Sequence, residues 1–281
     1  MARKNIFEQL CDFDLSQELK VIDKLINENY VQVGRGLSGT VVDTIVNFFD
    51  QKVHRWAGRN TSVSNSDIRR RLNIDKILNK SQIEIEEGLA YLEYAFNVME
   101  QFRKYFEDRF YEITNLDLAN DNCQKISERL GFSFFHDNII DTYILAPENP
   151  SALVVAELLS EETSTLLMKY HHYLLKGDLQ KKRDILLAMG DKYEPLIEEF
   201  KALNQTELQR DISFCLNKLH IRHNNKKGAK TFPPTEDMPD SELEEWYDRT
   251  YDLLLLGFMY HDYLINKKGL VHQLRVRKDK N

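Results

Sequence analysis

The stretch Ala146-Pro147-Glu148-Asn149-Pro150-Ser151 divides the chain. Proline disfavours helix at its own position, where it has no amide hydrogen, and at the residue before it, where its ring crowds the backbone. Two prolines within four residues predict a boundary between two helical domains, 1–146 and 151–281. A chain of 281 residues can supply two cores of ordinary size, about 100 to 200 residues each.

Glycine (11) and proline (6) are scarce while Leu, Glu, Lys and Gln abound, so the expected fold class is all-α. The longest uncharged apolar run, Leu253 to Met259, falls well short of the roughly 18 residues a membrane span needs. Met1-Ala2-Arg3-Lys4 is followed by Asn5-Ile6-Phe7-Glu8-Gln9 rather than an apolar signal core. Together these predict a cytoplasmic protein without a membrane partner. Cys11, Cys123 and Cys215 stand far apart and read as reduced packing residues, with no disulfide framework and no metal site. A net charge of −7 excludes nucleic-acid affinity from bulk charge, so any such contact needs a local basic patch.

Upstream of the boundary, Ile85, Leu89, Leu92, Phe96, Met99, Phe102, Phe106 and Phe110 recur at threes and fours and predict a long helix over 81–114. Asp14 caps a first helix to about Asn27, marked by Leu15, Leu19, Ile22 and Ile26. Tyr30 to Val33 read as a short extended piece, 34–39 as a glycine-rich turn and 40–56 as helix. Residues 58–66 read as an exposed polar loop, with Asp67 opening the next helix. Downstream, segments 151–176, 178–203, 206–223 and 239–266 suggest an antiparallel four-helix bundle followed by a basic tail. Gly177 ends the first and Asp178 caps the second. Asp240 or Ser241 caps the fourth, after a basic loop over 225–235.

Gly34-Arg35-Gly36-Leu37-Ser38-Gly39 fits a phosphate-cradling G-x-G-x-x-G, but neither an acid-bearing second strand nor the kinase motifs follow, which leaves a turn. Lys52, Arg55, Arg59, Arg69, Arg70 and Arg71 concentrate positive charge around Trp56, a pattern suited to phosphates and a stacked base. The richest segment is Leu216-Asn217-Lys218-Leu219-His220-Ile221-Arg222-His223-Asn224-Asn225, followed by Lys226 and Lys227. His220 and His223 share a helix face, so one can accept a proton while the other donates one, and Arg222 can stabilise a negatively charged transition state. The same residues also suit a helix end, where cations complement the dipole and Asn caps.

Around these residues the chain resembles the HEPN superfamily of helical bundles, over roughly 151–266. Arg222-His223 matches the start of that family's Arg-polar motif after its third helix, and Trp246 to Tyr263 corresponds to its final helix. The family's motif histidine is replaced here by Lys226, Lys227 or Gly228. The resemblance implies an RNA-binding or metal-independent RNA-cleaving component of a bacterial toxin or antiviral system, acting as a homodimer without cofactor. In that reading Arg222 steadies the phosphorane, His220 or His223 moves protons, and Asn224, Asn225, Lys226 and Lys227 bind RNA. The alternative expectation is a non-catalytic adaptor whose protein partner, a larger effector, is met by aromatic faces around Trp246, Tyr247 and Tyr251.

Overall fold

A computed structural model describes residues 13–28, 30–33, 40–106, 114–222, 235, 238–270 and 275. The fold is largely all-α, and the chain forms two compact units that divide between Glu148 and Asn149. At that point Asn149 caps a helix beginning at Pro150, its side chain accepting from the Ala152 amide at 3.0 Å. Proline suits the first helical position because its missing donor would be unpaired there anyway.

The first unit is built from α1 (Leu15–Glu28), β1 (Tyr30–Val33), β2 (Thr40–Thr44), α2 (Ile45–Lys52), α3 (Asn65–Arg71), α4 (Ile74–Leu78), α5 (Ile85–Phe106), α6 (Thr114–Arg129), β3 (Phe132–Asp137) and β4 (Thr142–Pro147). Asp14 does cap α1, accepting from the Gln17 amide at 3.2 Å, and Leu19, Ile22 and Ile26 are wholly buried against α5 and α6. On α5, Leu89, Leu92, Phe96, Met99 and Phe102 are buried, whereas Ile85 faces water.

Two expectations need correction here, and one element goes unannounced by the sequence. Residues 40–56 are not one helix: Thr40-Val41-Val42-Asp43-Thr44 pairs antiparallel with Tyr30–Val33, and helix begins only at Ile45. β-Branched residues favour that pleated pairing. The loop over 58–66 is not uniformly exposed: Ser62 and Asn65 are buried. Helix α3 opens on Ser64, whose hydroxyl accepts from the Asp67 amide at 3.1 Å. The unannounced element is a second hairpin, β3–β4, which pairs Phe132 with Pro147 through Asp137 with Thr142.

The second unit contains α7 (Pro150–Ala156), α8 (Glu161–Lys169), α9 (Leu179–Tyr193), α10 (Leu196–Ala202), α11 (Glu207–Lys218) and α12 (Asp240–Asp262). The segments expected at 151–176 and 178–203 are each broken. Pro195 interrupts the latter because it cannot donate to the helix. Gly177, at φ 77°, and Asp178, accepting from the Lys181 amide, stand where the chain predicts a stop and a start. α12 leads directly into a π-helical turn, Tyr263–Lys267. The core gathers Val155, Leu167, Leu186, Met189, Leu216, Tyr251 and Leu254. Gly257 lets α12 approach α9 and α11 closely, since a Cβ there would lie 2.6 Å from the Tyr193 ring and 2.7 Å from Ile212.

Candidate functional site

Helix α11 stops at Lys218, and the chain then folds back on itself. His220 takes a left-handed conformation, φ 59°, a position usually filled by Gly or Asn. The Arg222 amide donates to the Leu216 carbonyl at 3.0 Å, and Arg183 Nε donates to the His220 carbonyl at 2.7 Å. Leu219 and Ile221 bury into the core on either side. The His220 ring is itself buried and shares a 2.8 Å hydrogen bond with Thr235 Oγ1. The helix expected over 206–223 therefore ends before His220, which does not share a helix face with His223.

Arg222 is in a different state. Its side chain is 14% exposed, and among the described residues the carboxylate paired with it is that of Glu194, 4.0 Å from Nη1. Nε and Nη2 are buried, and among the described residues neither has a hydrogen-bond partner. Each unsatisfied buried donor costs about 1–3 kcal/mol, more for a charged group, and a guanidinium presents its donors as a fork that fits a phosphate or carboxylate. His223, Asn224, Asn225, Lys226 and Lys227 lie outside the described residues, as does the glycine-rich turn 34–39.

Arg59, Arg69, Arg70 and Arg71 are engaged within the first unit. Arg69, 13% exposed at its side chain, bonds Asp23 at 2.8 Å and Asp75 at 2.6 Å. Arg70 and Arg71 both pair with Asp67, and Arg71 also donates to Thr61 Oγ1 at 2.8 Å. Asp67 ionises below the usual carboxylate range because the Arg70 guanidinium bonds it, against the opposing effect of burial. Arg59 donates to the backbone carbonyls of His54 and Ser62. Arg55 is exposed. Trp56 is only 8% exposed, packs edge-on to Phe49 and donates from Nε1 to the Asp141 carbonyl at 2.8 Å. It is held in the core of the unit, not presented to a base.

Two features escape sequence reading. Lys182 is buried, with Glu244 at 2.8 Å, Asp248 at 2.7 Å and the Tyr170 ring 5.1 Å away. Periodicity gives no warning of it, because α9 carries its charge on the inward face. The second is an apolar groove between α11 and α12 that includes Trp246. Tyr247 and Tyr251, expected beside Trp246 on one aromatic face, are core residues: their hydroxyls donate to the carbonyls of Leu219 and Leu167. Compared with known proteins, the chain matches no family model, no curated sequence and no solved structure.

Proposed function

We propose that the C-terminal unit binds RNA through the end of α11, with Arg222 engaging a backbone phosphate. The observation that carries this reading is the buried Arg222 guanidinium, with two N–H-bearing nitrogens unpartnered among the described residues. A phosphate would accept from that fork and remove the penalty of leaving it dry. The cations that follow in sequence, Lys226 and Lys227, would extend the contact along the strand. Binding is favoured over cleavage by His220, whose ring is already bonded to Thr235 and positions the turn. If RNA is cut, the proton-transfer role falls to His223.

The test is binding of a labelled single-stranded RNA to the full chain in EDTA, for the native protein, Arg222→Ala and Arg222→Lys. Loss of the fork should weaken binding at least tenfold, about 1.4 kcal/mol. Lysine should restore part of it, as a point charge without the fork. Equal affinity of the alanine variant and the native chain would refute the assignment. RNA shortened in EDTA by the native chain but not by His223→Ala would add cleavage to binding.

A further inference from the structure

The groove between α11 and α12 has no part in phosphate binding. Asp211 and Phe214 from α11, Leu219 just after it, and Glu242, Trp246 and Leu253 from α12 line a cavity of about 560 Å3. Asp211 and Phe214, three apart, share one side of α11, and Glu242, Trp246 and Leu253 share one stripe of α12. Phe214 is 52% exposed, and Leu256, one turn beyond Leu253, is 49% exposed. The helices run antiparallel, because Tyr260 of α12 bonds Gln205 just before α11 while Tyr247 bonds the Leu219 carbonyl just after it. Asp211 therefore lies toward the Leu253 end of the groove and Glu242 toward the Leu219 end.

Neither Asp211 nor Glu242 has an ion-pair partner among the described residues, and no described cation lines the groove. Arg249, over the Trp246 ring at 4.8 Å, has its own carboxylate, Glu245, at 3.7 Å. At 1.5 Å per residue, the lining spans about 12 Å along α11 and about 16 Å along α12. That is the length of two to three helical turns.

We infer that this groove receives a short amphipathic helix of a partner protein, about three turns long, with apolar side chains at i, i+4 and i+7 and a lysine or arginine at each end. Apolar anchors in such a groove supply affinity, and paired end charges set register and selectivity. Charge complementarity selects this occupant over a second copy of the chain, which would bring its own Asp211 and Glu242 against these two. The inference is independent of the RNA reading.

The probe is a fluorescent helical peptide of about 14 residues built from leucine and lysine, read by anisotropy with the full chain at about 0.15 M salt, where long-range charge effects are screened beyond about 8 Å. A peptide with the same leucines and glutamate in place of lysine is the comparison. The lysine peptide should bind at least tenfold more tightly. Asp211→Lys with Glu242→Lys should reverse the preference, whereas a matched reversal elsewhere, Glu157→Lys with Asp191→Lys, should leave it intact. Phe214→Ser, at a side chain already half in water, should weaken binding while circular dichroism stays native. Failure of the lysine peptide to bind, a preference unmoved by the groove reversal, or a preference moved equally by the remote one overturns the inference. Sedimentation showing a dimer that Phe214→Ser dissolves assigns the groove to a second copy instead.

Discussion

Arg69 and Arg222 lie equally deep in their respective units, with side chains 13% and 14% exposed, and are satisfied in opposite ways. Arg69 is enclosed by Asp23, Asp75 and the Tyr94 ring. Burial alone would make it release its proton more easily, and these partners more than offset that effect. Arg222 has the same loss of water and, among the described residues, one carboxylate at 4.0 Å. One buried cation is completed within its own unit, and the other has donors without a partner among the described residues. Burial of charge therefore says little about role until the donors have been counted.

The largest test of this contrast is Arg69→Ala, which strands Asp23 inside the first unit. The expected loss is about 3 kcal/mol, the lower end for a broken buried pair because Asp75 stays in water. Urea unfolding should show an earlier midpoint. Arg222→Met should do the reverse, gaining about 1 kcal/mol by removing buried donors without partners while RNA affinity falls. A variant that is both more stable and weaker in binding sharpens the contrast, and one that is less stable breaks it. The smallest effect is confined to acid. Asp67 ionises more readily in the folded chain than in the unfolded one, so its contribution is present above about pH 4 and disappears as pH falls through the lower folded value. In Asp67→Asn, the difference between urea midpoints at pH 7 and pH 3 should shrink.

The sequence announces elements whose signals are local. The Asp14 cap, the Gly177–Asp178 stop and start, and the Pro147–Pro150 break depend on groups within a few residues of one another. What escapes it depends on partners far along the chain. Trp56 looks like a stacking residue among cations until Asp141, 85 positions later, takes its N–H. The run Arg69-Arg70-Arg71 looks like a phosphate patch until Asp23 and Asp67 are brought to it. For the candidate site, Arg222 is legible as a residue type at a helix end. Its donors without a partner among the described residues are not, because that depends on how the unit packs.

The β3–β4 hairpin holds a consequence for how the first unit meets other chains. Along the outer side of β4, the Asn97 side chain accepts from the Tyr143 amide and donates to the Tyr143 carbonyl, both at 2.7 Å. Glu93 accepts from the Leu145 amide at 2.8 Å. Two side chains of α5 thus make the bonds that a neighbouring strand would make. A free strand edge is a template on which another polypeptide can add itself. Here that template is filled by the protein's own helix, so a two-stranded sheet too small to protect itself is closed to fibre-like growth along β4.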